Sequence, residues 1–489
     1  MIRNGKEIPG GSTVTTEVCI IGSGPAGITA ALRLQEQGKK VILIEGSRDY
    51  RNPGKEASWP DKKLLYDGVA DGLFKTNESD FLIRPYAGSG KYPSERERMF
   101  GGTSTHWGGQ CRPLDPITFE NKRVGFASWP ITRDDLDPYY AKAATFCQLD
   151  SDFTAEHWAK IFNDNAPGSA EVPHLEGFDT EMYQFMDYNN ANFATRQFDG
   201  TTIGDSAVDV ILNASLLNID HSNGVVSGLR VASMDDETPP KKAKEFTIKA
   251  DIYVLACGAV ANARQLLLSN AGNEHQQVGR HFMCHPLTIE PVINLSPGFL
   301  KGPRANLMRG AGWSDQKTGV QVRGKFSPTA ERQAALQMGS CWFDVDAGGY
   351  YFEMAPNEKS FVTLAKTRDK VFDQWKTMIT WELTEFDENT YVQTTKLFKT
   401  AVNNLGGEVS FAPWHSIKFA VNGHHLGTTR MSSKPEDGVV DANLKVHSLR
   451  NLYVAGASVF PSAGISNPTF TIVALSIRLA EHIGKALSS

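Results

Sequence analysis

The stretch Val18-Cys-Ile-Ile-Gly22-Ser-Gly-Pro-Ala-Gly27-Ile-Thr-Ala-Ala-Leu decides the fold. Val18 to Ile21 reads as a short buried strand, and Gly22, Gly24 and Gly27 follow it in a GxGxxG turn. Residues 26–37 then carry helical apolar spacing, and Val41 to Ile44 is a second apolar run that ends in Glu45. Together they spell one strand–turn–helix–strand unit. In such a unit the first glycine permits the tight turn and the second lets a pyrophosphate approach the backbone. The third lets helix and strand pack closely. The helix start then faces the phosphate charge. Glu45, 18 residues after Gly27, is placed to accept hydrogen bonds from ribose hydroxyls. The unit therefore predicts a dinucleotide site, without distinguishing NAD from FAD.

Outward from this unit, residues 207–257 alternate apolar and polar positions and read as a β-meander closing on a buried strand. Residues 317–400 mix strand-like stretches with one helix near 386–403, which predicts a second, largely antiparallel layer. Near the C-terminus Asn451–Ala455 is strand-like, and Pro468–Leu487 has helical spacing. With 489 residues, 40% hydrophobic and 21% charged, the chain is a globular protein of enzyme size, not a disordered or fibrous one. A net charge of -5 leaves no basic footprint for nucleic acid. The six cysteines form no CxxC pair and no zinc or iron–sulfur ligand run, so electrons have no built-in cluster relay. The N-terminus lacks an apolar signal-like segment, giving an expectation of a cytoplasmic protein, with export beside a partner subunit left open. The uncharged stretch Asn451–Ile477 is broken by glycine and proline, so it is not expected to span a membrane.

A permanently held dinucleotide recruits a second small-residue turn, and Asn451-Leu-Tyr-Val-Ala-Gly-Ala-Ser458 supplies one before a long helix. A helix start there would stabilise negative charge on a reduced flavin. Further segments join it: Gly101-Gly-Thr-Ser-Thr-His-Trp-Gly-Gly109, Trp129-Pro-Ile-Thr-Arg-Asp-Asp-Leu-Asp-Pro-Tyr-Tyr140, Leu255-Ala-Cys-Gly-Ala259, Gly279-Arg-His-Phe-Met-Cys-His-Pro286, His424-His-Leu-Gly-Thr-Thr-Arg-Met431 and Asn467-Pro468. On these residues the sequence resembles the glucose–methanol–choline (GMC) family of FAD oxidoreductases along nearly its whole length. Within it, the chain looks most like pyranose oxidases and sugar dehydrogenase large subunits. The resemblance implies an α/β fold of two domains: a doubly wound FAD-binding domain (12–125, 200–289 and 424–489) and a substrate domain on an antiparallel sheet (126–199 and 290–423).

The resemblance also implies residue roles. FAD contacts are expected from Gly22, Gly24, Pro25, Ala26, Gly27 and Glu45, then from Gly101, Gly102, Thr103, Ser104, His106, Trp107 and Gly108. Gly258, Gly456, Ala457, Asn467, Pro468 and Thr469 complete the set. In pyranose oxidases the histidine matching His106 is bonded covalently to the flavin. Gly108 stands where those covalent enzymes carry threonine, which argues against the bond here. Oxidation of an alcohol sends a hydride to flavin N5 while the hydroxyl proton leaves to a base, a task suited to neutral histidine. His424 is the expected base and Asn467 its partner, although Asn before Pro468 is also a good helix N-cap. His425 is expected to face away from its neighbour, as alternate residues of a strand do. His281 and His285 read as turn or core residues, Trp414 and His415 as packing, and Glu95–Arg98 as a solvated face. Loops at 65–95 and 290–345 are expected to set specificity.

The resulting expectation is oxidation of a secondary alcohol of a sugar or glycoside to a ketone. A non-sugar alcohol, or hydroxynitrile cleavage without net redox, is the alternative. Oxygen, a quinone or a redox partner could take the electrons, no metal is expected, and the oligomeric state stays open.

Overall fold

The computed structural model describes residues 1–47, 72–75, 98–105, 107–120, 123–187, 191–237, 240–288, 293–295, 302–308, 319–345, 349–417, 419–421 and 423–488. Two large sheets organise them. The first runs in the order Ile2–Asn4, Asp209–Leu212, Val41–Ile44, Thr13–Ile21, Lys242–Leu255, Val225–Met234, Ser215–Ser222, and Leu452–Val454 pairs with the far end of Lys242–Leu255. Its central strands are parallel, and Val18 to Ile21, Leu43, Ile44 and Tyr253 to Leu255 are almost fully buried. Continuous apolar runs without alternation are what a sheet covered on both faces requires. The expected meander is present as the antiparallel strands Ser215–Ser222, Val225–Met234 and the first half of Lys242–Leu255.

Register decides where a ligand can sit. Leu255 lies opposite Ile21 on one side and Val454 on the other, so three strand ends stand in one row. Each leads to a helix: α1 (Pro25–Glu36), α2 (Ala259–Ser269) and α3 (Pro468–Ala486). α1 and α3 pack against each other, and Leu34 of the first and Ala474 and Ile477 of the second are buried.

The second sheet is antiparallel, in the order Phe419–Val421, Pro286–Thr288, Gly349–Phe352, Cys341–Asp344, Gln321–Pro328, Phe178–Phe185, Gln110–Cys111. Its pleat sorts side chains onto two faces. Phe326, Phe343 and Tyr350 point to the long helix Glu385–Asn404, where Phe343 meets Phe398 with ring centroids 4.2 Å apart and Tyr350 hydrogen-bonds Thr394. Glu181, Tyr183, Lys325, Trp342 and Tyr351 share the opposite face by register. One part of the sequence reading needs correction. Phe361–Arg368 and Trp375–Thr380 do not join this sheet; they form a separate three-stranded sheet with Gly72–Lys75.

Phe343 is wholly buried between sheet and helix. Phe343→Ala is therefore expected to lower unfolding free energy by about 3–5 kcal/mol, the range for a large-to-small change in a packed core. Denaturant titration of the holoenzyme checks it; a loss below about 1 kcal/mol would mean the ring is not wedged as described.

Candidate active site

α1 begins after Gly24, α2 after Gly258 and α3 after Asn467, and the three starts line one cavity of about 700 Å³. None of them has an acidic residue in its first turn or a side-chain cap hydrogen bond. The first amides of a helix have no acceptor within it, so three sets of donors and three positive dipole ends converge. An elongated anion of dinucleotide type fits that environment.

The glycines divide into two kinds. A Cβ on Gly27 would come within 1.9 Å of the Gly22 carbonyl oxygen, so this glycine lets α1 seat on the turn. At Gly24 and Gly258 a Cβ would meet nothing within 4 Å, because the cavity lies there. Gly22, Pro25, Ala26, Glu45, Gly102, Thr103, Trp107, Gly108, Gly456, Ala457, Pro468 and Thr469 also stand on the cavity wall. Gly27, Gly101 and Ser104 do not, and act one layer back. Ser104 Oγ donates to the Gly101 carbonyl and accepts from the Phe193 amide, which ties down the 101–105 turn. His106 lies outside the described residues.

Glu45 is buried and holds the turn together. One carboxylate oxygen accepts from the Ser23 amide and hydroxyl (3.2 and 2.6 Å), the other from the Ser47 amide at 3.0 Å. Arg98, expected on a solvated face, instead lines the cavity and donates to Ser215 Oγ. Its buried Nη1 has no partner among the described residues, so a positive arm is left for an anionic ligand. With the small-residue cradle and the helix starts, it makes this chain's residues a fit for FAD.

The other part of the wall carries His424 and Asn467. Asn467 occupies the N-cap position of α3 but makes no capping hydrogen bond. Its Nδ2 instead donates to His424 Nε2 at 3.1 Å. His285, read as a turn or core residue, is in fact the partner of His424: its Nδ1 lies 2.8 Å from His424 Nδ1, and its Nε2 lies 2.7 Å from the Gly464 carbonyl. His425 also reaches the cavity wall, packed on Phe282 at 5.4 Å. The expected alternation fails because residues 423–425 are irregular backbone rather than a strand. His281 is a buried turn residue with φ of 56°. Trp414 packs on Phe419, 4.8 Å away, and neither it nor His415 lines the cavity.

Hydrogen-bond chemistry fixes the protons along this row. A carbonyl only accepts, so His285 Nε2 carries a hydrogen. Burial pushes the His285 pKa down to about 4, keeping the ring neutral with a lone pair on Nδ1. His424 must then donate from Nδ1, which leaves the lone pair on its Nε2. The far end agrees, since the Asn467 amide is a donor toward Nε2. Burial first, and then His285, His425 and Lys325, hold His424 well below the ordinary histidine range.

The second sheet contributes residues that no motif announced. Trp342 and Tyr351 stack with centroids 4.1 Å apart and 15° between planes, and both line the cavity. Lys325 Nζ lies 3.5 Å over the Trp342 ring and donates to Gln110 Oε1 at 2.7 Å. Of the segments expected to set specificity, residues 65–71 and 76–95 lie outside the described residues, while the 290–345 segment supplies Trp342.

Comparison with known proteins bears on the family, the fold and the cofactor. The GMC oxidoreductase profile, for the C-terminal domain, matches residues 356–476, and an FAD binding domain profile matches residues 17–52. The chain thus carries GMC oxidoreductase and FAD-binding signatures over the residues matched. The oxidoreductase is 23% identical to the fructose dehydrogenase large subunit of Gluconobacter japonicus, over 96% of this chain and 98% of that protein. It is 25% identical to a 6'''-hydroxyparomomycin C oxidase of Streptomyces lividus, over 100% and 94% respectively. A crystal structure of formate oxidase shares the fold, with a TM-score of 0.61 at 17% identity, covering 98% of this chain and 100% of that one. The cofactor is FAD, and the enzyme acts on CH–OH donors. Among the described residues no helix is long and apolar enough to cross a membrane, and no cluster suits a metal ion.

Gly27→Ala would drive a methyl into the Gly22 carbonyl and lift α1 off its turn. The purified variant is expected to retain FAD at least about tenfold less tightly, a difference of about 1.4 kcal/mol or more. Flavin-to-protein absorbance after dialysis checks this; full retention would sink the assignment of the turn.

Proposed function

We propose that this enzyme oxidises a secondary alcohol of a sugar or glycoside to a ketone, with His424 as general base and Asn467 as its partner. The observation that carries the reading is the His424–Asn467 pair, 3.1 Å apart on the wall of the cofactor cavity, with the imidazole lone pair on Nε2. A hydroxyl has one hydrogen to give and two lone pairs to receive. Entering between the two side chains, it would donate to Nε2 and accept from the Asn467 amide. That holds the oxygen while its proton moves to His424. Bound FAD supplies the acceptor, at flavin N5, for the hydride that leaves the alcohol carbon.

Burial favours this chemistry in a specific way. A neutral imidazole is ready to take a proton without first losing one. Support for a sugar comes from two directions. The names of the relatives denote enzymes of fructose and of an aminoglycoside. The stacked Trp342–Tyr351 pair offers aromatic surface in the cavity, onto which the C–H face of a sugar ring packs while its hydroxyls stay free for polar partners. Electrons can then pass to oxygen, a quinone or a redox partner, which peroxide formation against dye reduction would distinguish. Gly108 favours FAD held without a bond to His106; acid precipitation is expected to release the yellow colour, and colour kept in the pellet would overturn that part.

His424→Ala is expected to keep FAD yet slow anaerobic flavin bleaching by sugar about 10²–10⁴-fold, the usual share of a general base. Unchanged bleaching would remove His424 from the role. The sign of the pH dependence follows from the depressed histidine. Its folded pKa lies below the unfolded value near 6.5, so the fold disfavours the proton and the base stays neutral under mild acid. The kcat/KM profile is expected to be flat from pH 8 down through about 6.5, with its acid limb lower. By linkage the folded state also loses stability as pH falls below the unfolded histidine pKa toward the folded one. A half-maximal point at an ordinary histidine pKa would contradict the burial of the base.

A further inference from the structure

Behind the base, away from the cavity wall, lies a second polar system. Arg123 is 2% exposed and Glu353 0% exposed, and they form a bidentate pair through Arg123 Nη1 with Oε2 and Nη2 with Oε1, the latter at 3.1 Å. Arg123 also lies 4.1 Å over the Phe126 ring. The same carboxylate accepts the Ser340 amide at 3.1 Å and the Gly464 amide at 2.8 Å. Gly464 is therefore held on two sides: its N–H by Glu353, its carbonyl by His285 Nε2. Its φ is +59°, and a Cβ there would come within 2.6 Å of Leu114. No other residue fits that turn without displacing its neighbours.

We propose that the buried Arg123–Glu353 pair is a positioning device for the catalytic base, pinning Gly464 so that its carbonyl fixes His285 and, through it, which nitrogen of His424 carries the proton. The proposal rests on His424 being the base. Neither Arg123 nor Glu353 lines the cavity, so both act through other residues. For stability alone, a buried ion pair is a poor choice against apolar packing of the same volume. What only a carboxylate supplies here is an acceptor for four N–H groups at once, two from the guanidinium and two from amides. It also places a negative charge behind the two imidazoles. That charge favours a proton on His285, the ring toward which His424 can shift its Nδ1 proton once Nε2 has taken the proton of the substrate. The groups facing the pair of rings are Lys325 from the second sheet, His425 from the cavity wall and Glu353 from behind His285.

The test reads the tautomers directly. Holoenzyme labelled with 15N-histidine, assigned with His285→Ala and His424→Ala samples, is expected to show His424 protonated on Nδ1 and bare on Nε2, and His285 protonated on Nε2. Glu353→Gln must place an amide N–H₂ against one of the four donors. It is expected to mix the tautomers and slow anaerobic flavin reduction about 10–100-fold, with flavin content and KM nearly unchanged. Arg123→Lys leaves the Glu353 carboxylate and its two amide contacts in place and should retain most of the wild-type rate. Wild-type protein with the His424 proton on Nε2 overturns the proposal without any variant, as does a folded Glu353→Gln with unchanged tautomers and rate. If Glu353→Gln fails to fold, the wild-type spectrum alone decides. Undiminished turnover in His424→Ala would instead end the base reading, an outcome separable from the tautomer result.

Discussion

Three helices follow three adjacent strands, two of them directly and the third after the 455–467 segment, and the amides of their first turns face one cavity without acceptors of their own. This shortage of acceptors organises much of the molecule. It explains why the residues between strand and helix are small at Gly24 and Gly258, where a side chain would enter the cavity, while Gly22 is small because a Cβ there would strike the Ala256 carbonyl. It also explains why acidic residues are missing from all three first turns, where they would ordinarily be favoured. The alignment of Ile21, Leu255 and Val454 in one row brings the three turns level. Ligands of open α/β sheets gather outside the carboxyl ends of the strands for this reason.

The second sheet closes the cavity with chemistry rather than with phosphate donors. Its helix-facing side is aromatic and dry, while the face opposite holds Glu181, Tyr183, Lys325 and Trp342. A lysine buried to 1% exposure needs compensation, and Lys325 finds it in two aromatic faces, Trp342 and Tyr183, and in Gln110. Its positive charge then adds to burial in keeping His424 neutral. His424 is thus set by surroundings from both layers: the cofactor side supplies the loop and Asn467, the sheet side supplies the field.

What could be read in the sequence depended on how local the cause was. The Gly22–Gly27 turn and its flanking strand and helix were legible because each glycine answers a constraint within a few residues. Glu45 was recognisable by spacing, but its hold on Ser23 and Ser47 was not. His424 and Asn467 were reached through the family resemblance, not through periodicity. His285 was missed because its role exists only through Gly464, 179 positions away, and through His424, 139 positions away. Arg98 sits in a charge run that reads equally well as surface; its burial depends on the 215 strand folding beside it. Trp342 and Tyr351 meet across an antiparallel pair whose register no local pattern announced. The strands at 361–380 had the correct alternation, but alternation does not name a partner strand.

Asn467 shows how tightly the two systems are joined. As N-cap before a proline it would usually turn its side-chain oxygen to the helix amides, yet here that bond is absent. The helix amides are thereby left for the cofactor cavity and the side chain is left for His424. The residue type matters for the second task. An aspartate at 467 could only accept, so His424 Nε2 would have to carry a hydrogen toward it, and Nδ1 would become the acceptor. His285 would then have to donate from Nδ1, which takes the hydrogen from Nε2 and sets two acceptors, that nitrogen and the Gly464 carbonyl, against each other. An amide donor at one end of the row and a carbonyl acceptor at the other admit a single pattern of protons among neutral rings, and that pattern leaves the lone pair of His424 facing the place where an alcohol would bind.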